Sequence, residues 1–164
     1  MIDLQRFCSE WNKRVNIPWS RGEYTFATDG RIIVRLPRMA DIPEKVDAPD
    51  ALILWQKVSI SGDPIPIPDL PPPKMMRCED CPGESTAAIA ECEECNGTGM
   101  VRDIQNTEVD GMFFADKYLE LIKELPNYNF YPVKYDFPAS GAFRADPSPF
   151  NFDGGDGLLM PVKV

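Results

Sequence analysis

The sequence predicts an α+β domain in two halves, each a helix followed by antiparallel strands, with a small cysteine-rich segment inserted between them. Three observations support this fold class. Apolar residues recur at helical spacing near residues 3–14 and again near 115–125. β-branched and aromatic residues follow each of these stretches in strand-like runs. Two Cys-x-x-Cys pairs stand between the halves, which gives the divisions 1–76, 77–100 and 101–164.

The first predicted helix covers residues 3–14. Asp3 is a suitable N-cap, and Pro18 prevents any extension. The apolar face consists of Leu4, Phe7, Cys8, Trp11 and Val15. Cys8 is the only cysteine outside the two pairs, and its place on this face predicts an inert core thiol.

A β-hairpin is predicted over residues 24–37. Tyr24 and Phe26 alternate with polar positions, and Asp29-Gly30 is a strong tight-turn pair. The β-branched run from Ile32 to Leu36 forms the second strand, which ends at Pro37.

The segment that follows is less regular. Residues 51–55 form a short apolar run that fits either a strand or a helix, and 58–61 predict a strand. Six prolines within residues 61–73 exclude a helix or a central strand, so we expect an extended, polyproline-like linker there.

The second half begins with a predicted helix over residues 115–125, with Asp116 near its cap and Pro126 after it. Strands are expected at 130–137, 142–152 and 158–164. Between the last two strands, Asp153 and Asp156 lie in a glycine-rich turn. They could hold a cation, but solvated turn residues are the favoured interpretation.

The two cysteine pairs predict one structural zinc site. Cys78 and Cys81 are separated by ten residues from Cys92 and Cys95, so two short turns can complete a thiolate tetrahedron around one Zn²⁺. Four cysteine ligands leave no open coordination position for catalysis. The chain contains no histidine, which removes the commonest general base and every Ser-His or Cys-His nucleophile. We therefore expect a protein that is not an enzyme.

Charge is distributed unevenly along the chain. The formal net charge is −9, yet residues 1–38 hold seven basic and four acidic residues. Residues 77–102 hold two basic and six acidic residues, and a zinc ion with four thiolates adds −2, so this segment should repel phosphate. Contact with nucleic acid would have to use the N-terminal quarter, and Arg6, Lys13 and Arg14 of the first predicted helix are the candidate DNA-facing residues. Without an apolar run of membrane-spanning length or a signal-peptide pattern, we expect a cytoplasmic protein with no membrane contact.

The second cysteine pair continues as Cys92-Glu-Glu-Cys95-Asn-Gly97-Thr-Gly99, which resembles the CxxCxGxG repeat of the zinc domains of DnaJ-type chaperones. The first pair fits this pattern only in part, because a single glycine, Gly83, follows it. The resemblance implies a zinc ribbon of the same kind. Only two such pairs are present, and a chain without histidine cannot hold a His-Pro-Asp motif, so we expect a borrowed zinc fold and no co-chaperone function.

Two further segments resemble parts of the bacterial DNA sliding clamp, the beta subunit of DNA polymerase III. The first is Ala27-Thr-Asp-Gly-Arg-Ile32, which is similar to the TDG-type hairpin of clamps. The second runs from Phe114 through the Tyr118-Leu119 helix to the terminal Leu-Leu-Met160-Pro-Val-Lys-Val164, the order in which clamp chains finish. The resemblance implies a single clamp-like domain.

In clamps, these two motifs line an apolar pocket that receives short peptides from polymerases and loaders. Carried over by position, the candidate partner-binding residues are Thr28, Gly30, Arg31, Ile32, Met160, Pro161 and Val162. The implied function is that of a clamp-like protein or clamp mimic that acts in DNA replication through protein contacts. A homo-oligomer would be needed to encircle DNA. The alternative is a zinc-binding adaptor unrelated to clamps, with the acidic ribbon as its interaction surface.

Overall fold

The computed structural model describes residues 2–81, 92, 95, 97–134 and 146–163. Its helices are a 3-10 turn at Leu4–Phe7, α1 (Leu52–Trp55) and α2 (Asp116–Lys123). Its strands are β1 (Trp19–Arg21), β2 (Tyr24–Thr28), β3 (Ile32–Pro37), β4 (Met75–Arg77), β5 (Met100–Arg102), β6 (Asn106–Val109), β7 (Met112–Ala115), β8 (Asn129–Phe130), β9 (Ser148–Phe152) and β10 (Gly155–Leu159). The α+β class is therefore confirmed.

One antiparallel sheet joins the two ends of the chain. Its strand order is β1-β2-β3-β10-β9-β8, so β3 from the first half pairs with β10 from the second. In this register Val34 lies opposite Gly157, and Ile32 lies opposite Leu159. The two remaining pairs, β4 with β5 and β6 with β7, form separate two-stranded sheets.

The central sheet is covered on both faces because successive side chains of a strand point in opposite directions. On β3, Ile32 and Val34 join the larger core cluster, which includes Leu119 and Ile122 of α2. Ile33 points to the other face and packs in a second cluster. That cluster also holds Val15, Trp19, Phe26, Ala48, Ala51 and Leu158.

The predicted hairpin is confirmed as β2 and β3, and its turn is fixed by local hydrogen bonds. Gly30 has a φ of 95°, a conformation that favours glycine. Asp29 Oδ1 accepts hydrogen bonds from the backbone N–H groups of Arg31, at 2.9 Å, and Ile32, at 3.2 Å. Its Oδ2 accepts one from the Tyr118 hydroxyl at 2.6 Å, which ties the turn to α2.

The first predicted helix is wrong beyond its first turn. After Phe7, Cys8 is extended, with a ψ of 155°. The Ser9 hydroxyl accepts hydrogen bonds from the N–H groups of Trp11 and Asn12, and such side-chain bonds compete with helical ones. Trp11 is consequently 66% exposed and lies outside the core. The burial predicted for Cys8 is confirmed, and burial raises the pKa of its thiol to about 11.

Other predicted elements differ in extent. The run at 51–55 is the short helix α1, and the strand predicted at 58–61 does not form. The second predicted helix is confirmed as α2. The strand predicted at 130–137 is limited to β8. Residues 135–137 of that prediction, and residues 142–145 of the strand predicted at 142–152, lie outside the described residues. The last strand begins earlier than predicted, at Gly155, and ends at Leu159.

The proline-rich segment contains neither helix nor strand over residues 61–73, as predicted. It nevertheless packs against the domain, because Ile67 is buried in the larger core cluster. The Ile65 N–H donates a hydrogen bond to the Phe130 carbonyl at 2.8 Å, so this segment covers the edge of β8.

Candidate functional site

The four predicted metal ligands converge at one end of a two-stranded ribbon. Strands β4 and β5 pair so that Arg77 lies opposite Met100, and the Cys78 N–H bonds to the Gly99 carbonyl at 3.0 Å. This pairing places the start of the first cysteine turn beside the end of the second. We call the described part of residues 75–102 the cysteine ribbon.

The sulfur positions suit a tetrahedral metal ion. The Sγ atoms of Cys78, Cys81, Cys92 and Cys95 all lie within 4.8 Å of one another. Cys78 and Cys92 are 3.8 Å apart, and Cys81 and Cys95 are 3.3 Å apart. Metal–sulfur bonds of about 2.3 Å at tetrahedral angles place sulfurs about 3.8 Å apart, so the cluster fits such an ion with little adjustment. The predicted four-cysteine cluster is therefore confirmed.

The second turn stabilises negative charge on Cys95. Burial opposes ionisation of this thiol, but hydrogen bonds from Cys81 and from the Gly99 and Gly97 amides outweigh it. The pKa of Cys95 is lowered to about 6. The Gly99 N–H lies 3.2 Å from the Cys95 sulfur. These amides support a thiolate ligand at neutral pH.

An ion pair fastens the ribbon to α2. Arg102 donates to both carboxylate oxygens of Glu120, at 2.8 and 2.6 Å. The hydrogen bond with Arg102 lowers the pKa of Glu120, and the same bond raises the pKa of Arg102. The position of the cysteine cluster is thereby coupled to the main domain.

A cavity of about 660 Å³ separates the ribbon from the main domain. It brings together the hairpin turn, the terminal segment, the ribbon and the first turn of α2. Its lining includes Arg31, Met100, Ile104, Asp116 and Met160, and we call it the ribbon cavity. The wall between hairpin and terminus is continuous, because the Met160 N–H bonds to the Arg31 carbonyl at 2.9 Å.

The seven predicted partner-binding residues occupy three kinds of position. Arg31, Met160 and Val162 line the ribbon cavity. Ile32 and Pro161 are buried. Thr28 and Gly30 shape the turn, where the hydroxyl of the buried Thr28 accepts a hydrogen bond from the Gly30 N–H at 3.0 Å.

The sequence did not indicate the most unusual residue of the cavity, Asp116. It is 1% exposed, and among the described residues neither of its carboxylate oxygens has a hydrogen-bond partner. An acidic residue in the first turn of a helix is common, because it favours the helix dipole, so its position in the sequence carried no special signal.

The basic residues proposed to face DNA are partly engaged within the chain. Arg6 forms an ion pair with Glu124, and Arg14 Nε donates to the Asp47 carbonyl at 3.2 Å. Lys13 is exposed, and its carbonyl accepts a hydrogen bond from Lys45 at 2.6 Å.

The acidic turn before β10 is also engaged. Asp156 accepts two hydrogen bonds from Arg35, at 2.7 and 2.9 Å. Asp153 accepts one from Asn127 at 2.6 Å. These contacts give both carboxylates a structural role in the turn.

Comparison with known proteins assigns no function to the chain, so a functional conclusion depends on the geometry of the site. No protein-family model, curated protein or solved structure matches the chain. Within the part of the chain that the structure describes, no helix has the length and apolar character needed to cross a membrane.

Proposed function

We propose that this protein is a zinc-braced, non-enzymatic binding domain whose ribbon cavity receives a short segment of a partner protein. The observation that carries the proposal is the joining of Arg31 to Met160 at the cavity wall. The clamp resemblance implies a peptide pocket between the segments that contain these two residues. A partner of the clamp-binding type would place the protein in DNA replication, as a clamp-like protein or a clamp mimic in the cytoplasm.

Zinc is the ion that we assign to the cysteine ribbon. Four thiolates in a closed tetrahedral arrangement are typical of structural zinc sites, and they leave no position for substrate. Cys78, Cys81, Cys92 and Cys95 would hold the ion, and the ion would fix the ribbon wall of the cavity.

The ribbon cavity has the size and character of a peptide-side-chain pocket. Pockets for small ligands commonly measure about 300–1,000 Å³ and combine apolar walls with a few polar groups. Met100, Ile104, Met160 and Val162 supply the apolar surface, and Arg31 and Asp116 supply charge.

The test is binding of a fluorescent clamp-binding peptide to the zinc-loaded chain, followed by anisotropy. Met160→Ala should weaken binding about tenfold, because it removes a cavity wall. Met75→Ala is the matched control, since Met75 is an exposed methionine of the ribbon outside the cavity. Absence of binding at micromolar peptide would reject the pocket.

The alternative function, an adaptor that binds through the ribbon surface, is favoured by one observation. Met75 and Met76 are 56% and 39% exposed, although methionine is usually buried. If the protein is such an adaptor, Met75→Ala should weaken partner binding and Met160→Ala should leave it unchanged.

A further inference from the structure

Asp116 lacks the hydrogen bonds that a buried carboxylate normally has. Its side-chain oxygens are buried, and no donor reaches them among the described residues. A buried, unpartnered polar group is costly, and in a native protein it often marks a functional position. Both oxygens are closed to solvent, but Asp116 also lines the ribbon cavity, so a turn of its side chain would let a bound ligand supply the missing donor.

The guanidinium that interacts with Asp116 through space, that of Arg102, does not supply that donor. Asp116 and Glu120 lie four residues apart on one face of α2, and Arg102 approaches both. The hydrogen bonds of Arg102 go to Glu120, so Asp116 interacts with it only through space. Two carboxylates thus share one guanidinium, which leaves an excess negative charge at this wall.

The other basic groups at the cavity lie at its rim. Arg31 and Lys117 are exposed, and Lys117 Nζ lies 4.6 Å from the centre of the Tyr118 ring. The remaining acidic residues of the lining are Glu10 and Asp103. Four thiolates and one zinc ion in the ribbon would add a net negative charge, so the wall that contains Asp116 favours a cation.

We propose that Asp116 is the specificity residue of the ribbon cavity and accepts hydrogen bonds from a lysine ammonium or arginine guanidinium of the bound segment. The apolar walls would take the aliphatic part of that side chain and its neighbours. This inference rests on the proposed function and names the partner chemistry: an apolar peptide segment that carries a basic residue.

Small probes test the charge preference on the unmodified, zinc-loaded chain. We would titrate n-hexylammonium, 1-hexanol and hexanoate while following the ¹³C-methyl signals of the methionines. The ammonium should shift the Met100 and Met160 signals saturably and leave Met75 unaffected, with weaker effects from the alcohol and none from hexanoate. Equal shifts of these signals by n-hexylammonium and hexanoate, or the absence of a saturable shift, would overturn the proposal without any variant.

Asp116→Asn then tests the residue itself. Loss of one charge-assisted hydrogen bond should weaken hexylammonium binding about tenfold. Asp103→Asn is the matched control, because Asp103 lines the same cavity, and its effect should stay below about twofold. Zinc content and thermal midpoint verify that each variant is folded. Equal affinity of wild type and Asp116→Asn would reject the assignment.

Peptides separate this inference from the proposed function. Two peptides that differ only in lysine or norleucine at one position would be compared on wild type and Met160→Ala. Binding of both peptides with equal affinity, weakened by Met160→Ala, would reject the role of Asp116 and leave the pocket standing. Binding of neither peptide would reject both proposals.

Discussion

Gly157 shows how closely single residues of the central sheet are packed. A Cβ atom at this position would lie 2.2 Å from the Phe150 ring and 2.6 Å from the Ile33 carbonyl oxygen. The carbonyl belongs to the paired strand and cannot move without breaking the sheet. We therefore expect Gly157→Ala to lower the free energy of unfolding by about 3 kcal/mol.

Chemical denaturation of Gly157→Ala and Gly62→Ala would check this expectation. Gly62 has a φ of 80°, and a Cβ atom at this position would have no neighbouring atom within 4 Å. Its replacement should cost only the backbone strain, about 1 kcal/mol. Equal losses in the two variants would contradict the packing argument.

Proton competition at all four cysteine ligands determines how the cysteine cluster responds to acid. Burial raises the pKa of Cys78 and the hydrogen bond with Cys95 raises that of Cys81, whereas the pKa of Cys95 is lowered to about 6, so its thiolate persists at neutral pH and is protonated as the pH falls through 6. Metal affinity should therefore decrease between pH 7 and pH 5, and binding should release protons. Competition with a chromophoric zinc chelator at a series of pH values measures this decrease. An affinity that is constant over this range would contradict it.

Among the secondary-structure elements, α2 and the first predicted helix show what apolar spacing can predict. Both stretches place apolar residues three and four apart, yet only α2 forms. In the N-terminal stretch, the Ser9 hydroxyl captures the N–H groups of Trp11 and Asn12. The spacing of apolar residues does not reveal such local hydrogen bonds. It did predict the burial of Leu4, Phe7 and Cys8.

The candidate site, like the helices, was predictable from the sequence only in part. The spacing of Cys78 and Cys81 relative to Cys92 and Cys95 specified the cluster, because ligand geometry depends on local turns. The cavity beside it depends on contacts between distant segments, such as Met160 with Arg31. Sequence spacing does not encode these contacts, and only the clamp resemblance implied that these two segments meet. The role proposed for Asp116 required the folded chain.

The contact between β5 and α2 is formed by Arg102 and Glu120, and a single substitution tests its contribution. Glu120→Gln removes the charge that pairs with Arg102. Both side chains are about one-third exposed (34% and 33%), so we expect a loss of only about 0.5 kcal/mol in global stability. The local effect should be larger, with faster amide hydrogen exchange in β4 and β5. Because the pairing lowers the pKa of Glu120, this contribution is present at neutral pH and is lost only as the pH falls below the usual glutamate range.

Asp69→Asn is the matched control for this prediction. Asp69 pairs with Lys123 of the same helix at 3.4 Å, but its side chain is fully exposed. Its replacement should change neither stability nor exchange in the ribbon. Unchanged exchange in Glu120→Gln would show that Arg102 does not hold the ribbon in place.

The molecule as a whole combines a hydrophobic core with a ribbon whose four cysteines are arranged to hold a metal ion. Neither core cluster contains a residue of the cysteine ribbon among the described residues. The central sheet is held by its own packing, in which Trp19 is fully buried and its ring centre lies 5.8 Å from that of Phe26. In the described part of the ribbon, a short strand pair, hydrogen bonds of Thr98 with Cys95 and Met100, and the Arg102 contact supplement the cysteine cluster.

Removal of the metal should therefore unfold the ribbon and leave the sheet intact. We expect a chelator to abolish peptide binding and amide protection at Met75–Arg77 and Met100–Arg102, because two three-residue strands cannot persist alone. The near-UV circular dichroism of Trp19 should persist, measured in a Trp11→Phe, Trp55→Phe background. Readdition of zinc should restore binding. Loss of the Trp19 signal on chelation would show instead that the metal supports the entire fold.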